Sequence, residues 1–118
     1  MPDVVRVALC DDHGVVRSGL RRILDAEDDL EVVGEAGTVK EAVAVAASCL
    51  PDVFVMDLGL PDGSGWDLVS YAREQRPLLR IGVVTGWEPR NEKDPACDFT
   101  LRKPVGAVDL LAQIAGET

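Results

Sequence analysis

The run Pro51-Asp52-Val53-Phe54-Val55-Met56-Asp57 constrains this chain more than any other stretch. Val53 to Met56 are apolar without alternation, so neither face of a strand built from them is left for water. Such a strand belongs inside a parallel sheet covered by helices on both sides. Leu58-Gly59-Leu60-Pro61-Asp62-Gly63-Ser64-Gly65 follows at once, and its Gly, Pro and Asp content marks a turn. Asp57 therefore stands at the C-terminal edge of a sheet. Ligands of open α/β sheets bind in the crevice beyond those strand ends, so this carboxylate is placed for chemistry rather than for solubility.

Strand-like and helix-like patterns alternate along the rest of the chain. Val4 to Cys10 forms a strand stopped by Asp11-Asp12, and Val16, Leu20, Ile23 and Leu24 recur on one helix face. Glu31 to Ala36 is a second strand. Thr38-Val39-Lys40-Glu41 has capping-box spacing, and Val39, Ala42, Val43, Ala46 and Ala47 are the expected buried face of the helix it opens. A helix from about Ser64 to Gln75 carries Leu68, Val69 and Ala72 on one side. Arg80 to Thr85 and Asp98 to Arg102 supply two more strands, and Ala107, Leu110, Leu111 and Ile114 mark a last helix. Right-handed crossovers turn this pattern into a doubly wound, five-stranded parallel α/β sheet. Residues 87 to 97 contain Pro89 and Pro95 and almost no periodic apolar residues, so a loop or single short turn is expected there.

With 118 residues the chain suits one domain, expected to span residues 1 to 118. Twelve basic and 21 acidic residues leave a net charge of −9, which opposes binding to nucleic acid or to an anionic membrane surface. No apolar stretch approaches the roughly 20 residues of a membrane span, and no signal-peptide pattern opens the chain. A cytoplasmic location is expected. Cys10, Cys49 and Cys97 lack metal or redox spacing and read as reduced structural thiols.

Parallel strands bring their C-terminal ends to one edge, so Asp11, Asp12, Asp57, Thr85 and Lys103 should converge. Two like charges about 4 Å apart repel by roughly 4 kcal/mol at an effective dielectric near 20, so three clustered carboxylates call for a cation. An oxygen-rich site of this kind suits Mg²⁺, which is held by one or two carboxylates together with phosphate. Thr85 offers a hydroxyl and Lys103 a compact positive charge for phosphate oxygens. No organic cofactor is expected, because a flavin phosphate needs a cradling loop after the first strand and the acidic pair there would repel it.

Asp11-Asp12, the stretch Asp57 to Gly65, Thr85-Gly86 and Lys103-Pro104 together resemble the receiver domain of two-component response regulators, over essentially the whole chain. Leu9 to Leu20 is similar to receivers that precede a helix-turn-helix output domain. The resemblance implies a flavodoxin-like sheet of strand order 2-1-3-4-5. It also implies that Asp57 accepts a phosphoryl group from the phosphohistidine of a sensor kinase or phosphotransfer protein. By the same resemblance Asp12 binds Mg²⁺ directly, Asp11 mostly through water, Asp57 itself, and Gly59 through its carbonyl. Lys103 pairs with the phosphoryl group, Thr85 swings toward it, and Gly86 leaves it room. No activity on an external substrate is implied, only self-phosphorylation and its reversal, switching a protein–protein interaction.

Three positions depart from the family pattern. The aromatic usually found three residues before the lysine is Thr100, and the neighbouring Phe99 should face the other way along a strand. The fourth helix falls in the proline-containing interval and is expected to be short or absent. Trp87 sits where a bulky ring would slow hydrolysis of the phosphoaspartate. The alternative reading is a binding module that acts without phosphorylation. His13 is read as a helix-start residue rather than a metal ligand or phosphodonor. Val108, Ala112 and Ala115 add an apolar strip to the last helix, through which a homodimer is expected.

Overall fold

In the computed structural model, which describes residues 4–57, 59–85, 97–102 and 105–115, five strands form one parallel sheet. They are β1 (Val5–Cys10), β2 (Leu30–Ala36), β3 (Val53–Asp57), β4 (Arg80–Thr85) and β5 (Phe99–Arg102), in the order β2-β1-β3-β4-β5. Four helices are described: α1 (Gly14–Asp25), α2 (Val39–Cys49), α3 (Gly65–Gln75) and α4 (Ala107–Ile114). The sheet is doubly wound and flavodoxin-like, as expected. The proposed loop at 87 to 97 lies outside the described residues up to position 96, and with it Trp87, Pro89 and Pro95.

All five residues of β3 are buried, as an apolar run without alternation requires. Phe54 and Met56 pack under α2 and α3 with Leu68, Val69 and Ala72, while Val53 and Val55 pack under α1 and α4 with Leu20, Leu24, Leu110 and Ile114. The edge strand β5 alternates instead: Phe99 and Leu101 are buried, Thr100 and Arg102 exposed. Phe99 does face away from the side of Thr100. It begins the strand, one residue later than the expected Asp98.

Two strand glycines exist because something lies on them. A Cβ on Gly34 would come within 2.6 Å of Val45 Cγ1, where α2 crosses β2. A Cβ on Gly82 would come within 2.1 Å of Phe99 Cε2. Helix α2 accordingly buries Ala42 and half-buries Val39, Val43, Val45 and Ala46, whereas Ala47, expected on the buried face, is exposed. Pro51 stops α2, with Leu50 in the left-handed region at φ 47°, a conformation a leucine adopts only under constraint.

Candidate functional site

The register of the sheet sets the site. Cys10 lies level with Met56, so the chain leaving β1 at Asp11 runs beside Asp57, and Asp57 lies level with Val84, one residue before Thr85. Thr85 in turn is level with Arg102, the last residue of β5. Lys103 and Gly86 lie outside the described residues.

Asp11 and Asp57 are the buried charged residues of the described core, at 1% and 6% exposure, and Asp12 beside them is exposed. One oxygen from each of the three carboxylates and one ring nitrogen of His13 all lie within 4.8 Å of one another. Burying carboxylates costs several kcal/mol per ion unless charge or hydrogen bonds compensate. Part of the compensation is local. The His13 N–H donates to Asp11 Oδ1 at 2.8 Å, and the Gly59 N–H donates to Asp57 Oδ1 at 3.2 Å. The oxygen set, hard and partly solvated, can hold a divalent cation.

The sequence assigned His13 to the start of α1, and its backbone does cap that helix, accepting from the Arg17 N–H at 2.9 Å. The side chain makes no cap. Its Nδ1 turns to Asp12 Oδ1 at 3.0 Å and Asp11 Oδ1 at 3.3 Å, which brings it into the acidic cluster. Arg17, one turn into α1, had no assigned role. Its Nη1 donates to the Asp11 carbonyl at 2.6 Å and the Ala36 carbonyl at 3.4 Å, and its Nε to Glu35 Oε1 at 3.1 Å. The guanidinium thus ties the loop carrying the acids to the end of β2. Its only sequence signal is an arginine on a helix face that must also meet Glu35.

Cys10 sits directly behind the carboxylates. Burial, then the negative charges of Asp11 and Asp57, push its thiol up to about 12. It stays protonated and inert, as a structural thiol should. Cys49, half-buried on α2, is a free thiol as well.

Asp62, in the turn after β3, reaches across to the start of α2, where it accepts from the Val39 N–H at 2.7 Å and the Lys40 N–H at 3.1 Å. Thr38 Oγ1 accepts from the Glu41 N–H at 3.0 Å, and Glu41 Oε1 in return accepts from the Gly37 N–H at 3.0 Å and the Thr38 hydroxyl at 3.4 Å, one residue before the Thr38 N–H that a capping box uses. Asp62 therefore satisfies the amides a helix start leaves open. The Val39 amide first, and that of Lys40 behind it, hold its carboxyl below the usual carboxylate range. A depressed folded value means the contact stabilises above the ordinary carboxylate pKa and is lost as pH falls toward the folded value. The melting temperature of wild type should exceed that of Asp62→Ala at pH about 6, and the gap should close toward pH about 3. Parallel melting curves across that range would mean the contact is not made in solution.

A family model of the response regulator receiver domain matches residues 7–115. The chain is 46% identical over 84 residues to the DNA-binding transcriptional activator DevR/DosR of Mycobacterium tuberculosis, covering 71% of this chain and 39% of that protein. It is 31% identical over 110 residues to the response regulator protein VraR of Staphylococcus aureus, covering 90% of this chain and 53% of that one. The response regulator domain of Thermotoga maritima CheB superposes with a TM-score of 0.86 at 27% identity, covering 96% of this chain and 95% of that domain. The chain spans about half or less of the length of these two curated relatives.

Proposed function

Because this chain belongs to the response regulator receiver domain family, we propose that Asp57 is its phosphoacceptor, charged by a histidine kinase or phosphotransfer protein. The observation that carries this reading is the gathering of the Asp11, Asp12 and Asp57 oxygens within 4.8 Å at the C-terminal sheet edge. In the transfer an Asp57 oxygen attacks phosphorus, the P–N bond of the phosphohistidine breaks, and the imidazole leaves with the electron pair and takes a proton from solvent. Asp11, Asp12, Asp57 and Gly59 would hold Mg²⁺, which when bound supplies positive charge against the carboxylates and the phosphoryl oxygens. Lys103 supplies the fixed counter-charge and the Thr85 hydroxyl the group that follows the phosphoryl. Positioning and charge suffice, since phosphoryl transfer asks for little covalent chemistry from the protein. No external substrate is turned over.

The product of the reaction is a changed surface for a protein partner. Val108 and Ala115 of α4 are exposed and Ala112 half-buried, which supports a self-association face on that helix. The free thiols of Cys10 and Cys49 are compatible with a reducing cytoplasm. Among the described residues, no helix is long and apolar enough to cross a membrane.

The exposure of Thr100 and the burial of Phe99 over Gly82 favour a second reading, in which the domain binds partners without phosphorylation. Acetyl phosphate with Mg²⁺ separates the two. Intact-mass spectrometry should show one added phosphoryl group, absent when the metal is chelated. An unmodified chain, under conditions that label another receiver, would favour the binding module.

A further inference from the structure

We propose that the groove between α4 and the turn joining α1 to β2 docks a basic amphipathic helix of another protein. This rests on the reading of α4 as the partner face and names the occupant of the cleft beside it. The groove has a volume of about 410 Å³ and lies where β1 and β2 begin, at the sheet edge opposite the acidic pocket. Its floor is Val5 and Leu30, level with each other in the sheet, together with the half-buried Leu111. Val108, Ala112 and Ala115 form one wall. With Leu111 they recur at i, i+3, i+4 and i+7, a stripe about 10 Å long that runs the length of α4. A stripe of that period meets the apolar face of a second helix laid along it.

The opposite wall sets the sign of the partner. Glu27 and Asp29 are the charged residues of the lining, and no base joins them there among the described residues. Asp28 stands between them, all three are exposed, and none takes part in an ion pair among the described residues, whereas Arg17 and Arg21 of α1 are committed to Glu35. The turn is held in place. The Glu27 carbonyl accepts from the Leu30 N–H at 3.4 Å and the Asp29 carbonyl from the Val5 N–H at 2.9 Å, so the groove is preformed and binding orders little of it. A single exposed apolar residue is ordinary, but Val108, 81% exposed, rims an apolar floor. Leucines of a partner helix would fill that floor while flanking Lys or Arg side chains meet the acids, which steer and orient the encounter. A second copy paired about a two-fold axis would bring its own Glu27 and Asp29 to the same place, so charge favours a foreign basic helix in the groove. Self-association through Val108 then competes with it for one surface.

The full chain is titrated with a fluorescently labelled synthetic helix of about 15 residues, long enough to hold its helix in water, with leucines at i, i+3, i+4 and i+7 and lysines on both flanks. A scrambled peptide of the same composition controls for net charge. Anisotropy in physiological salt should show the amphipathic helix binding at least about tenfold more tightly, since burial of one leucine is by itself worth about that factor. Glu27→Lys/Asp29→Lys should lose at least about tenfold, whereas Asp67→Lys/Glu74→Lys, the same change of charge on α3 across the sheet, should lose less than about threefold. Val108→Gln should also lose at least about tenfold. All five positions are exposed, so the fold is kept. Equal binding of the two peptides, or equal loss in the two double variants, would leave net charge as the only attraction and overturn the groove. Sedimentation velocity on the same proteins keeps the two readings apart. A dimer that Val108→Gln dissolves, without saturable peptide binding, overturns the foreign helix while α4 stands as a self-association face. If Val108→Gln alters neither measurement, the reading of α4 fails as well.

Discussion

Asp57→Asn should abolish uptake of the phosphoryl group from acetyl phosphate while leaving the fold intact. The amide keeps the size of the carboxylate and an oxygen that can still accept from the Gly59 N–H, now 3.2 Å from Asp57 Oδ1. It lacks the charge and the nucleophilic oxygen. The modified mass should therefore fall to background, and cation affinity should fall with it, since one of three clustered negative charges is gone. Without metal, the melting temperature should be no lower than that of wild type, because removing one of several like charges relieves their repulsion. The melting measurement makes the loss of labelling interpretable, since an unfolded variant would also fail to label. A phosphoryl adduct that persists in a folded Asp57→Asn protein would assign the chemistry to another group of the cluster, Asp11 or Asp12 first.

Gly82→Ala should destabilise the domain by roughly 2 kcal/mol or more, within the range that overpacking of a filled core produces. The new Cβ would stand 2.1 Å from Phe99 Cε2 and 2.2 Å from Cζ, separations no real contact tolerates. The ring has little freedom to yield. It packs in the core layer that holds Leu110 and Ile114, and the Arg80 guanidinium lies 5.2 Å from its centroid while donating to the Ile114 carbonyl at 2.8 Å. A loss of this size is a large fraction of the roughly 5–15 kcal/mol that holds a domain together. Urea unfolding measures it. In a Phe99→Ala background the same substitution should cost far less, because the two residues share one space and their effects do not add. If Gly82→Ala stays within about 0.5 kcal/mol of wild type, the ring is not locked over Gly82. Phe99 would then be free to change rotamer, and the lack of an aromatic at position 100 would no longer distinguish how this receiver switches.

The sheet and the meeting of the acids were legible in the sequence for one reason. Burial on a strand has a fixed period, parallel crossovers have a fixed hand, and together they send every C-terminal strand end to the same edge. Asp57 could be assigned from the unbroken apolar run before it, and the inward turn of Phe99 from alternation alone. Even the expected helix starts fell within a residue or two, because caps and prolines act on their immediate neighbours.

What the tertiary structure decided are contacts between residues far apart in the chain. Asp62 caps a helix that begins 23 residues before it. Gly82 is a glycine because Phe99, on the next strand, lies over it. Val45 of α2 packs on Gly34, where a side chain would leave it no room, and Arg17 clamps a loop to the end of β2. His13, adjacent to the acids in sequence, joins them only through the direction its ring takes from the turn into α1. Local periodicity states which face a residue occupies. Which partner it meets depends on strand register, helix rotation and side-chain direction, and those are settled only when the layers pack.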